Sequence, residues 1–156
     1  MRVTVCAVGR LQARSEERAL TDDYMNRFCR AGRPLGWGPF IEHEVEDKKG
    51  GGMAAEAELL RKAIPKGDLL VTLDERGKLL TSPDFARKLS DWGDQGRDVT
   101  FLIGGADGID PALRAEADFS VSFGKMVWPH KLVRVMLSEQ LYRAASILSG
   151  APYHRV

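Results

Sequence analysis

The sequence is poor in the residues that announce disulfide, metal or membrane chemistry: it has two cysteines and three histidines among 156 residues. Cys6 and Cys29 form no CxxC pair and no metal-ligand spacing. They read as two buried free thiols of a reducing compartment, which excludes a disulfide scaffold or a zinc module. No apolar run approaches the eighteen or so residues of a membrane span. The opening stretch MRVTVCAVG stops its apolar run at Gly9, too short for a secretory signal, so the cytoplasm is the expected location. Charge of either sign in excess is also missing: 23 Lys+Arg stand against 22 Asp+Glu, a formal net charge of +1. Any nucleic-acid contact must therefore come from local patches. Also missing are G-x-G-x-x-G, the phosphate loop with its Gly-Lys-Ser/Thr, the G-x-S-x-G elbow and H-E-x-x-H. Dinucleotide, nucleotide-triphosphate, hydrolase and metalloenzyme readings lose their usual support.

What is present is an ordinary globular composition, 44% hydrophobic and 29% charged, at a length that suits one domain. Apolar strand-like runs at Val3 to Val8, Phe40 to Val45, Asp68 to Asp74, Val99 to Ile103 and Phe119 to Phe123 alternate with helical patterns. The helices begin near Ser15, at Met53, at Ser82-Pro83 (N-cap and first position), at Asp110-Pro111 and after Pro129, the last running from His130 to about Leu148. ERGK, Glu75 to Lys78, reads as a turn. Leu20, Tyr24 and Phe28 form an i, i+4 stripe facing a core, and Arg10, Arg14 and Arg18 a solvated face. Gly50 to Gly52 make a flexible surface connection. His43, alternating with Glu42 and Glu44, reads as an exposed strand residue. The alternation predicts an α/β fold, a largely parallel sheet flanked by helices, with ligands beyond the carboxyl ends of the strands.

Three strand ends collect candidates there: Leu73-Asp74-Glu75, Gly104-Gly105, and Phe123 to Pro129. By itself the glycine turn of FLIGGADGID is a tight strand-to-helix connection. Together with VTLDERGK, WPH followed by LVRVMLSEQLYRA, and the closing PYHR, it strongly resembles the ribosomal RNA large subunit methyltransferase H family. Four specific pieces occur in the right order, and the likeness covers essentially the whole chain. The resemblance implies a single-domain SPOUT-type α/β trefoil knot over 1–156, knotted roughly within 70–156. It implies methylation of N3 of a pseudouridine in helix 69 of 23S rRNA on assembled ribosomes, with S-adenosylmethionine as cofactor and a homodimer as the working unit. No metal and no membrane are implied.

By the same resemblance Leu73, Gly104, Gly105 and the run Phe123, Gly124, Lys125, Met126, Val127 and Trp128 line the cofactor pocket. Phe123-Gly124-Lys125 departs from the Leu-Ser pattern of the family. Tyr153, His154 and Arg155 are implied to form a substrate-binding tail in which a phenol, an imidazole and a guanidinium offer stacking, proton acceptance and anion contact. His130, at a helix start, is given a supporting role at most, and Glu139 with Arg143 reads as an i, i+4 pair. The last helix is apolar over more than one face, which asks for burial on two sides, either against the sheet and a partner subunit or deeply sandwiched within a monomer. Lys48, Lys49, Lys125, Lys131, Arg134 and Arg155 are expected to join into an RNA-facing patch. Two other readings stay open: a nucleotide-dependent oxidoreductase using the glycine turn, and a knotted RNA-binding module without cofactor.

Overall fold

The computed structural model describes residues 1–155. Its five strands are β1 (Val3–Val8), β2 (Phe40–Val45), β3 (Leu69–Leu79), β4 (Val99–Ile103) and β5 (Phe119–Ser122). The helices are α1 (Glu16–Gly32), α2 (Gly52–Ala63), α3 (Ser82–Asp94), α4 (Pro111–Glu116) and α5 (His130–Ser149). The strands pair in the order β2-β1-β4-β3-β5, every neighbour parallel. All carboxyl ends therefore emerge along one edge, as the alternating pattern predicts. Among the described residues no helix is long and apolar enough to cross a membrane.

Burial on both faces follows from the two-residue period of a strand. In β1, Val3, Val5 and Ala7 point into one core with Phe28, Leu89, Leu137 and Leu141, whereas Cys6 and Val8 point into a second with Ala57, Leu60 and Leu113. Helices α1, α3 and α5 thus cover one face, and α2 and α4 the other. Cys6 is fully buried, and burial, followed by the nearby Asp68 charge, pushes its thiol up to about 12. It is a packing residue. Cys29 is only half-buried, against the expectation of two buried thiols. Leu20 also departs from its expected place: Phe28 is buried, but Leu20 is exposed.

Two local readings need correction. The cap of α3 is Thr81, whose hydroxyl accepts from Asp84 N–H at 3.1 Å, with Ser82 and Pro83 inside the first turn. A threonine directly before Ser-Pro can cap as well as the serine can, and the sequence does not rank them. ERGK is not a turn. β3 continues through it to Leu79, but Leu73 and Lys78 both pair with Val121, so Asp74 to Gly77 bulge out of the ladder. Gly77 makes the bulge possible: a Cβ there would lie 2.7 Å from the Val121 carbonyl carbon and 2.8 Å from that of Ser120. The bulge turns Asp74, Glu75 and Arg76 toward the carboxyl edge.

A buried charge cluster ties α5 to that edge. Arg134, expected in a solvent-facing basic patch, is 1% exposed. Its guanidinium donates to Glu42 Oε2 at 3.2 Å, to Glu44, and to the Gly9 carbonyl at 3.0 Å. Arg18, read as part of a solvated face, instead joins Glu42 and Asp22, each at 2.7 Å. Alternating acids on β2 look solvent-facing in sequence because the opposing arginines lie on helices far away in the chain. Burial raises the carboxyl of Glu44, but the Leu11 N–H and the Arg134 guanidinium outweigh it and hold it below its ordinary 4.5. A depressed carboxylate stabilises the fold fully above its unfolded value, and that contribution disappears as pH falls through the lower folded value. Removing one partner of a buried pair costs about 3–5 kcal/mol. Arg134→Met should therefore lower the urea midpoint by that equivalent. It should also flatten the acid-side loss of stability below pH 4.5. An unchanged midpoint would remove the cluster from the account of stability.

Candidate active site

The bulge of β3, the glycine turn after β4, the loop after β5 and the start of α5 enclose a cavity of about 330 Å³ at the carboxyl edge of the sheet. The turn is built by glycines. Gly105 O accepts from Gly108 N–H at 3.0 Å, and Gly108 has φ +85°, which favours glycine. At Gly104 a Cβ would run into the Gly108 carbonyl and lie 2.8 Å from the Ile109 nitrogen. A bare backbone is thus obligatory where the turn meets the cavity. Across from it, Ser122 Oγ accepts from Gly124 N–H at 3.1 Å and donates to the Gly124 carbonyl at 2.9 Å, which pins the root of the next loop. Met126 and Val127 at its tip are 73% and 82% exposed, and Trp128 is exposed too.

Polar groups complete the wall. Asp74, only 7% exposed, accepts from Arg76 N–H at 2.8 Å and from Arg114 at 3.3 Å. Behind Gly105, the Glu56 carboxyl is pushed up by burial and by the charges of Asp107 and Asp47. His130 closes the cavity from the first turn of α5, half-buried and lowered from 6.5 by burial, then by Lys131 and Arg134. That combination favours a neutral imidazole at pH 7.

The carboxy-terminal tail packs elsewhere. Tyr153 OH donates to Glu139 Oε1 at 2.8 Å, and Glu139 pairs with Arg143 at 2.5 Å. Arg143 lies over the Tyr153 ring at 4.7 Å and reaches His154 Nδ1 at 3.2 Å, while Tyr142 sits 4.5 Å from Tyr153, centroid to centroid. The tail is held and not frayed. Between tail and cavity runs an apolar groove of about 610 Å³ whose walls include Leu79, Phe123, Val135, Met136, Glu139 and Arg143.

The family described as predicted SPOUT methyltransferase matches residues 1–154. The chain is similar to the ribosomal RNA large subunit methyltransferase H of Ruegeria sp. (strain TM1040), 69% identical over 157 residues and covering 100% of both chains. It is also similar to the protein of that name from Paracoccus denitrificans (strain Pd 1222), 61% identical over 155 residues and 99% of each. The chain belongs to the ribosomal RNA large subunit methyltransferase H family of SPOUT methyltransferases. A solved structure, a probable methylase family protein from Haemophilus influenzae Rd KW20, shares the fold at TM-score 0.52 and 11% identity, over 99% of this chain and 70% of that one.

For a SPOUT methyltransferase the glycine turn is part of a methyltransferase fold, and the oxidoreductase reading falls away. Of the residues expected around the cofactor, Leu73, Gly104, Gly105, Phe123, Gly124, Met126, Val127 and Trp128 all line the cavity. Lys125 does not; it is exposed on the loop. Tyr153, His154 and Arg155 line neither the cavity nor the groove. Asp74 and Glu75, expected at a strand end, line the cavity, whereas sequence reasoning missed Arg76, which reads as part of a turn, and Asp107 as wall residues. It also treated Glu139 and Arg143 as a surface pair, although they anchor the tail. Burial and the hydrogen bond to Glu139 both favour the neutral phenol, so Tyr153 is raised above its ordinary 10.0. In an ultraviolet pH titration, Tyr153→Phe should therefore remove no tyrosinate step near pH 10, and Glu139→Gln should move the Tyr153 step downward, with burial still holding it above 10.0. A difference step at that pH in the unaltered chain would mean that the tail is free.

Proposed function

We propose that this methyltransferase transfers a methyl group from S-adenosylmethionine to N3 of a pseudouridine in helix 69 of 23S rRNA. It acts as a homodimer on assembled ribosomes in the cytoplasm. The relatives named above carry large subunit ribosomal RNA in their names, and they match this chain from end to end. The observation that carries the cofactor assignment is the bare backbone at Gly104 beside an apolar loop in a cavity of about 330 Å³, within the range of small-molecule sites. We infer a single domain over 1–156 whose knotted part falls within 70–156.

The cavity fits the chemistry of this cofactor. Leu73, Met126 and Val127 are apolar and flank a space open to a flat ring, with loop amides and carbonyls available at its edge. Gly104, Gly105 and Gly124 let the backbone approach closely. Phe123 and Trp128 complete the holding set, and Lys125, outside the lining, is free to meet phosphate. When bound, S-adenosylmethionine supplies a methyl group on a sulfonium, so the protein's task is alignment, water exclusion and care of the charge left on the base. His130, neutral at pH 7, seals the cavity without adding positive charge beside a sulfonium.

The tail residues Tyr153, His154 and Arg155 are the RNA-binding element. Within one chain the apolar groove separates them from the cavity, and Leu20 and Leu79 are left exposed at its rim. A second copy laid on this groove buries those side chains and carries its tail to the neighbour's cavity, which is why the homodimer is the active unit. The RNA patch consists of Lys48, Lys49, Lys125, Lys131 and Arg155; Arg134, being buried, is withdrawn from it. A patch of this size on a nearly neutral chain gives binding that weakens with salt.

Labelled S-adenosylmethionine incubated with ribosomes lacking the modification should yield one 3-methylpseudouridine in helix 69, identified by mass spectrometry. Gly104→Ala should abolish cofactor binding in calorimetry while retaining the circular dichroism spectrum. Cofactor binding without transfer would leave the fold assignment and discard the substrate. No binding by the unaltered protein would restore the non-catalytic RNA-binding reading.

A further inference from the structure

The tail carries an imidazole, and the obvious role for it is to take the N3 proton. Its hydrogen bond says otherwise. Arg143 Nη1 lies 3.2 Å from His154 Nδ1. A guanidinium has five N–H donors and no acceptor, so Nδ1 must accept, and in the neutral ring the proton then sits on Nε2. Arg143 is itself fixed: its Nη2 donates to Glu139 Oε1 at 2.5 Å and its Nε at 3.0 Å, and the same oxygen accepts from Tyr153 OH at 2.8 Å. The guanidinium also lies over the Tyr153 ring, one residue before the histidine. The fork therefore cannot rotate away without breaking three contacts.

We propose that Arg143 fixes His154 as the tautomer protonated on Nε2, so that the tail meets the RNA base as a hydrogen-bond donor and not as a base. Arg143 and Glu139 are then positioning residues for His154. The proposal rests on the reading of the tail as the RNA-binding element. When the N3–H proton leaves to solvent water, negative charge spreads onto the two carbonyl oxygens flanking N3. A donor held in place on one of them stabilises the anion while the N3–C bond forms and the sulfonium S–C bond breaks, leaving a neutral thioether. Fixed donors aimed at developing charge are the largest single contribution in many enzymes.

The two roles separate by substitution. The side-chain amide of glutamine places an N–H close to the position of Nε2 but has no basic nitrogen. Removing a fixed donor of this kind costs about 100-fold or more in kcat. His154→Ala should show that loss in methyl transfer to unmodified ribosomes, whereas His154→Gln should lose only about fivefold, the smaller effect expected when a donor is kept. Nitrogen-15 spectra of the full-length protein should show Nε2 protonated and Nδ1 bare in the unaltered chain and in Arg143→Lys, which keeps a donor. Arg143→Gln can turn its oxygen to the ring and should admit the other tautomer, with a matching fall in kcat at unchanged melting temperature. If His154→Gln is as poor as His154→Ala, the imidazole is the base and the proposal is overturned, though the tail reading survives. If His154→Ala transfers methyl at the full rate, the tail reading itself fails, and the proposal fails with it.

Discussion

One buried guanidinium holds the working edge of this molecule together. Arg134 enters α5 one turn after its start and is taken out of water entirely, a cost of several kcal/mol that only close carboxylates and carbonyls offset. Glu42 and Glu44 of β2 and the Gly9 carbonyl at the end of β1 provide those partners. Because the cluster joins three elements, it fixes where α5 begins. That sets His130 against the cavity and anchors the far end of the loop carrying Met126 to Trp128.

The second constraint is geometric. An all-parallel sheet places every strand end on one edge, and loops there are free to vary without disturbing the ladder. Two glycine-dependent devices shape this edge. The bulge around Gly77 brings Asp74 and Arg76 to the cavity wall, and the turn closes so tightly at Gly104 that a side chain there would collide with the Gly108 backbone. Both are backbone solutions. In the cavity wall Asp74 is already paired with Arg114 and Arg76.

Much of the fold is legible in the chain. Strand runs, the glycine turn and the long last helix all lie where periodicity and punctuation put them, because burial on a sheet face imposes a two-residue rhythm that residues such as Val3, Val5 and Ala7 obey. Pairing across distance is not legible. Arg134 and Arg18 look like surface cations until β2 is placed beside them, and ERGK looks like a turn until Val121 pairs with both Leu73 and Lys78. The alternating pattern puts Leu73, Gly104-Gly105 and Phe123 to Trp128 at strand ends, but their convergence on one cavity was reachable only through family resemblance, as no spacing rule links Leu73 to Trp128. The tail was reachable in composition but not in placement: Glu139 and Arg143 hold it along α5, away from the cavity of its own chain.

In the proposed dimer that separation requires two chains to cooperate at each site, and a mixed-dimer experiment decides whether they do. Gly104→Ala should disable the cavity of one copy, and His154→Ala the tail of another. Each homodimer should then be close to inactive. If cavity and tail come from different protomers, subunit exchange between the two variants should recover about a quarter of the unaltered rate, since half the dimers are mixed and each has one complete site. No recovery after demonstrated exchange would mean that both halves of the site belong to one chain.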